Sequence, residues 1–178
     1  MTTWGVLGLP AGVDAAAHAG DGAVAAGVAQ HLDGLVAVAE GTTVTGLLAL
    51  LPNAVTRIVM LDPATATDPD AASLLASVLA ADDGAHAAVS AARPLADALK
   101  RVQDDVIVEG LARDGMLTPV APVAVAREVL AELDASDAAL HGEVVGLLLA
   151  AGHAVRVVLS EGEPVTVRAD GPTGEASG

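Results

Sequence analysis

The chain has 178 residues, no cysteine and a single aromatic side chain, Trp4. That length supports one domain with its own core. The composition excludes disulfides, thiolate chemistry, Cys-ligated zinc and the stacking platforms of single-stranded nucleic-acid binders. Eight basic residues face 23 acidic ones, a net charge of −15, so DNA, RNA and anionic membranes are poor partners.

Short apolar runs alternate with helical stretches along the chain. Trp4–Leu9, bounded by Pro10 and Gly12, reads as a buried strand. Ala23–Leu32 reads as an Ala-rich helix, Leu35–Ala39 as a strand, and Thr43–Leu51 as a helix closed by Pro52-Asn53. Arg57–Leu61 is the clearest buried strand and stops at Asp62-Pro63. Asp70–Ala81 puts Leu74, Leu75, Val78 and Leu79 on one helical face, with Asp68 as N-cap and Pro69 at the first position. His86–Ser90 is a strand. Val102–Leu111 contains Val106-Ile107-Val108, flanked by Gln103-Asp104-Asp105 and by Arg113-Asp114-Gly115, and reads as a hairpin with polar turns. Val123–Leu133 is expected to be helical, with Ala126, Val129, Leu130 and Leu133 on one face. Ser136 caps a last helix that runs to about Ala151 and ends at Gly152. His153–Leu159 and Pro164–Arg168 are strands, and residues 170–178 form a disordered Gly/Pro/Ser tail.

This alternation predicts an α/β domain over residues 1–169, its mostly parallel, mixed sheet covered on both faces, with Trp4–Leu9, Leu35–Ala39 and Arg57–Leu61 as adjacent central strands. Ligands of such sheets bind beyond the carboxyl ends of the strands, here Leu9–Gly12, Glu40–Thr43, Asp62–Thr67 and Arg93–Lys100. Mean hydropathy is +0.57, yet no apolar run is long enough for a transmembrane helix. Met1-Thr2-Thr3-Trp4 lacks the basic start of a secretory signal, so a cytoplasmic protein is expected. His18, His31, His86, His141 and His153 have no metal-ligand spacing, and no lysine completes a P-loop after Gly22.

Several motifs resemble one family. Ala92-Arg93-Pro94-Leu95-Ala96-Asp97-Ala98-Leu99-Lys100-Arg101 is similar to the A-x-P-V-x-D-T-[LIM]-K-R segment of the methylerythritol-phosphate cytidylyltransferases of isoprenoid biosynthesis. Pro94, Asp97, Lys100 and Arg101 match, and the family threonine is Ala98. Arg113 matches the arginine of the family's V-D-R stretch. Ser136-Asp137-Ala138-Ala139 resembles T-D-E-A, and Gly152–Val167 resembles the closing segment, with its lysine replaced by Thr166. Val59-Met60-Leu61-Asp62-Pro63-Ala64 resembles V-x-V-H-D-A-A-R-P, in which Asp62 matches and the arginine does not. The resemblance spans most of Arg57–Arg168.

It implies a three-layer, Rossmann-like nucleotide-diphospho-sugar transferase fold with a hairpin arm at about 100–113. That arm clasps a second subunit in the family. Here its apolar Val102, Val106, Ile107, Val108 and Leu111 imply a homodimer, the other outcome being an arm folded onto its own domain. It also implies ligand contacts at Gly12, Asp62, Asp97, Lys100, Arg113 and Ser136, with Arg113 and Ser136 on the sugar phosphate. Each residue has a structural reading beside this one. Asp62 is a functional carboxylate or an Asx-turn cap. Arg113 binds phosphate or pairs with Asp114 or Glu109. Lys100 and Asp97 pair across a turn or serve the site.

The departures concentrate before Arg57. The family's P-A-A-G-x-G-x-R-M loop, which wraps the triphosphate, would be Leu9–Ala16. Gly12 fits, but the arginine and a later lysine are missing, and Asp14 stands near where positive charge is needed. Residues 1–56 contain no lysine or arginine at all. Nucleotidyl transfer rests on neutralising charge at the transferring phosphate, and loss of one well-placed donor costs roughly 10²–10³ in rate. A degenerate member with no catalytic residues, no cofactor and no metal is therefore expected, one that binds a small phosphorylated ligand or a partner. The alternative is an active enzyme transferring CMP from CTP, with Mg²⁺ on Asp62.

Overall fold

A computed structural model describes residues 1–10, 26–68, 71–95, 99–103, 106–111, 116–133, 144–159 and 165–167, the backbone alone for 99–103, 106–111 and 165–167. The strands are β1 (Thr3–Leu9), β2 (Gly34–Ala39), β3 (Arg57–Leu61), β4 (Ala88–Pro94), β5 (Leu99–Gln103), β6 (Val106–Leu111), β7 (Leu117–Ala126), β8 (Val155–Leu159) and β9 (Val165–Val167). The helices are α1 (Ala26–Ala29), α2 (Val44–Leu50), α3 (Pro63–Thr67), α4 (Ala71–Ala80), α5 (Arg127–Glu132) and α6 (Val144–Ala150).

Seven strands form one mixed sheet in the order β2-β1-β3-β7-β4-β8-β9. β1 pairs parallel with β2 and β3, and β4 with β8. β7 runs antiparallel between β3 and β4, and β9 antiparallel to β8. Residues of β3 alternate between the two faces, as the period of a strand requires. Ile58 and Met60 join Val6, Leu47, Leu130 and Leu148 in one core beneath α2, α5 and α6. Val59 and Leu61 join Leu7, Val28, Leu75 and Val78 in the other, beneath α1, α3 and α4. This is the expected three-layer α/β architecture, and its ring-free core is built from Val, Leu, Ile, Met and Ala.

Local chemistry sets the element ends. Thr43 caps α2, its Oγ1 accepting from the Gly46 N–H at 3.1 Å. Gly152 takes φ +82 just past α6, the left-handed position that glycine fills without strain. Gly34 lies under the Trp4 ring, where a Cβ would come within 2.5 Å of Cε2. β5 and β6 pair antiparallel in a two-stranded sheet of their own, the expected hairpin.

Four sequence expectations are corrected. Val123–Ala126 is not the start of a helix but the end of β7, a strand the sequence reading missed. Val123, Ala124 and Val125 are buried, and a strand covered on both faces carries no period-two signal. Pro119 and Pro122 further weaken any strand signal in this stretch. The pairing with β4 jumps from Ser90↔Val123 to Ala91↔Val120, so Pro122 sits in a bulge that needs no ladder N–H. β2, expected among the central strands with β1 and β3, neighbours β1 but lies at the edge of the described sheet. Both its faces are packed, so its composition reads as central. β4 starts two residues later than expected and runs on to Pro94, because β7 pairs with its second half. Of the expected Ala23–Leu32 helix, residues 23–25 lie outside the described residues and the helix ends at Ala29, not Leu32; α3 is a further helix.

At the amino ends of the parallel strands, charged side chains tie loops to the sheet. Arg57 and Asp82 form a buried ion pair, through Nη2 and Oδ1, leaving Arg57 Nη1 and Asp82 Oδ2 without hydrogen-bond partners. Asp83 accepts from the Ala85 N–H at 2.9 Å, meets His86 Nδ1 at 3.0 Å and accepts from Arg156 Nη1 at 2.8 Å. Its carboxyl is lowered from 3.8 to about 2, first by the His86 hydrogen bond and then by the Ala85 N–H. Arg127 donates to the carbonyls of Pro52 and Leu48 at 2.8 and 3.1 Å, satisfying the open end of α2. No helix among the described residues is long and apolar enough to cross a membrane.

Candidate functional site

The carboxyl ends of β3 and β4 face the same way, because both run antiparallel to β7. Between them opens a cavity of about 240 Å³. β3 supplies Met60 and Leu61, and Asp62 follows them. β4 supplies Arg93. The first half of β7 supplies Thr118, Pro119, Val120 and Ala121, and Val123 lies deeper. Val144 and Val145 of α6 close one wall. The lining is mostly apolar, with one carboxylate, one guanidinium and one hydroxyl, the pattern of an orienting small-molecule pocket.

Asp62 fulfils its structural reading and also faces the cavity. It is the N-cap of α3, with Oδ1 accepting from the Thr65 N–H at 2.6 Å, and Pro63 occupies the first turn, where no N–H is needed. Its Oδ2 accepts from no described residue. Arg93 is exposed on β4 opposite Thr118 of β7. Its guanidinium makes no hydrogen bond or ion pair with a described residue. Asp62 is the one carboxylate among the residues that line the cavity. Among the described residues no three His, Asp or Glu side chains are grouped so that they could hold a metal ion.

The other expected site residues are not brought to this cavity by any described contact. Gly12, Asp97, Arg113 and Ser136 lie outside the described residues, as does the 170–178 tail. Lys100 lies on β5 in the hairpin, with its side chain outside the description. The strand end Glu40–Thr43 is a turn into α2. Gly41 takes φ +82 and Thr42 Oγ1 donates to the Ala39 carbonyl at 2.7 Å. Arg93 and Thr118 were missed individually. Arg93 occupies a variable position of its motif, and Thr118 belongs to the strand that the sequence reading left out.

A search of solved structures finds the same architecture in several proteins. A 4-diphosphocytidyl-2C-methyl-D-erythritol synthase from Anaerococcus prevotii matches with TM-score 0.61 at 14% identity, over 93% of this chain and 92% of that one. The chain has the fold of the methylerythritol-phosphate cytidylyltransferases. A 2-C-methyl-D-erythritol 4-phosphate cytidylyltransferase from Thermus thermophilus matches with TM-score 0.52 at 23% identity, over 89% of this chain and 71% of that one. Another from Francisella tularensis matches with TM-score 0.55 at 12% identity, over 94% of each chain. The sequence matches no family model and no curated protein. What these structures share with the chain is the cytidylyltransferase fold, the one its motifs imply.

Proposed function

We propose that this chain is a degenerate cytidylyltransferase-fold protein that no longer transfers a nucleotide and keeps its cavity as a binding pocket for a small phosphorylated compound. The observation that carries this reading is the absence of any lysine or arginine from residues 1–56. That stretch contains β1 and the loop after it, where the resemblance locates the triphosphate. A triphosphate there would meet no basic side chain of the segment, and Asp14 would add repulsion. The acceptor side differs: the cavity at β3 and β4 is open and holds a guanidinium. The β5–β6 hairpin is the element through which two copies pair as a homodimer, since an isolated two-stranded hairpin is marginal in water.

Thermal denaturation with separate additions tests the reading. A polyol phosphate at 100 times its Kd stabilises the protein by about 2.7 kcal/mol, whereas CTP with Mg²⁺ leaves the melting temperature unchanged. A rise with CTP·Mg²⁺ and none with the polyol phosphate reverses the assignment.

A further inference from the structure

We propose that a second copy of this chain adds to the outer edge of β2, the two β2 strands running antiparallel about a two-fold axis at Ala37. This interface is separate from the hairpin and from the cavity. β2 ends the described sheet, and β1 is its one paired neighbour among the described residues. Edge strands are ordinarily kept from pairing by shortness, charge, proline or a bulge. β9, at the other end of the sheet, is three residues long. β2 has none of these devices. Gly34–Ala39 is six residues without charge or proline, in unbroken register with β1. Leu35 and Val36 are only half-buried, so the edge keeps apolar surface to cover.

The backbone sets which groups face outward. The Arg57 N–H donates to the Thr2 carbonyl at 3.1 Å, and the Asp33 N–H to the Thr3 carbonyl at 2.7 Å. Successive carbonyls at the start of β1 therefore point to β3 and to β2 in turn, so Thr3, Gly5, Leu7 and Leu9 turn to β2. Gly5 lies beside Leu35 and Leu7 beside Ala37. The slanted bonds of a parallel pair go to the residues flanking the one directly beside, so Val36 and Val38 bond to β1. Leu35, Ala37 and Ala39 then present their N–H and C=O groups outward.

The occupant follows from charge and symmetry. Each copy carries a net charge of −15, so acidic surfaces repel. At β2 two copies meet without bringing acids together. With Ala37 on the axis, Leu35 faces Ala39 of the second copy, Val36 faces Val38, and Glu40 comes opposite Gly34. Asp33 stays on its own chain, its Oδ2 accepting from the Thr3 N–H at 2.7 Å. Opposed residues share a face of the sheet. Val36 and Val38 belong to one core and Leu35 and Ala37 to the other, so both apolar layers continue across the join. A two-fold contact uses the same edge in both copies and closes on itself.

The test is amide hydrogen exchange of the full chain, read by NMR over a concentration series, with sedimentation alongside. The Val36 and Val38 amides are expected to be protected at every concentration, and those of Leu35, Ala37 and Ala39 only as concentration rises. Added salt is expected to strengthen association by screening the two acidic copies. Ala39→Pro alters an exposed residue and removes an outward N–H, with no loss from the β1 ladder. It is expected to weaken association at least about tenfold, since two hydrogen bonds vanish per pair, and to melt like wild type in dilute solution. Leu35→Lys, which charges the edge, is expected to abolish the concentration dependence, whereas Ile107→Asp in the hairpin leaves it unchanged. Free exchange at Leu35, Ala37 and Ala39 at all concentrations would overturn the proposal. Full protection of these amides even in dilute solution would also overturn it, since the chain then covers its own edge. So would wild-type association by Ala39→Pro and Leu35→Lys, which would show that the copies meet elsewhere.

Discussion

The two ends of the sheet use the same residue type in opposite ways. At the amino ends of β3 and β8 the arginines are consumed by the protein: Arg57 is buried on Asp82, and Arg156 joins Asp83. Arg127, after β7, closes α2. At the carboxyl ends of β3 and β4, Arg93 and the second oxygen of Asp62 are left without described partners beside a cavity. A charge with a protein partner reports on folding. A charge without one, at the end of an α/β sheet where ligands bind, reports on recognition. The chain's overall acidity does not distinguish these ends, but the pairing of individual side chains does.

Mutation should separate the two ends, most sharply at the buried pair. Arg57→Met is expected to destabilise the protein by about 3–5 kcal/mol in urea denaturation, because it strands the Asp82 carboxylate in the interior. The double variant Arg57→Met/Asp82→Leu should recover much of that loss; an equally large loss would show that the pair contributes more than its own neutralisation. At the same end, Gly34→Val drives a branched side chain into the Trp4 ring and should cost about 1–3 kcal/mol.

Asp83 gives a smaller, pH-dependent effect. Its folded carboxyl titrates near 2, below its ordinary 3.8, so the native state favours the ionised form. The stabilisation is fully present above the ordinary value and is lost as pH falls through about 4 to 2. Asp83→Asn should flatten the dependence of melting temperature on pH across that window. An unchanged acid limb would mean that the His86 and Arg156 contacts do not persist in solution. Smallest of all, Arg93→Gln should shift unliganded stability by no more than about 0.5 kcal/mol. A larger loss would place Arg93 with the structural arginines and erase the contrast between the ends.

The sequence carried the fold well where burial and capping leave separate marks. Arg57–Leu61 is five apolar-flanked residues ended by Asp-Pro, and it is β3 with Asp62 capping α3. Gly152 ends its helix as expected, and Thr43, the expected first residue of its helix, is the N-cap just before it. β7 was illegible because its Val-Ala repeat suits a helix or a doubly buried strand, and its Pro122 is accommodated by the bulge opposite Ser90–Ala91. That one strand brings Thr118 and Val120 to the site, so missing it hid half the cavity wall. Asp62 was legible from its place after β3. Arg93 was not, since nothing in a sequence reveals that a guanidinium will lack a partner. Gly12, Asp97, Arg113 and Ser136 rest on motif likeness alone.

The central claim is that the chain keeps the cytidylyltransferase fold without its transfer chemistry. Its most direct test is pyrophosphate release from CTP and Mg²⁺ in the presence of methylerythritol phosphate, measured with purified protein at high enzyme concentration. The account expects release at the level of the protein-free control, for wild type and Asp62→Ala alike. Turnover above that control in wild type, abolished by Asp62→Ala, would contradict it.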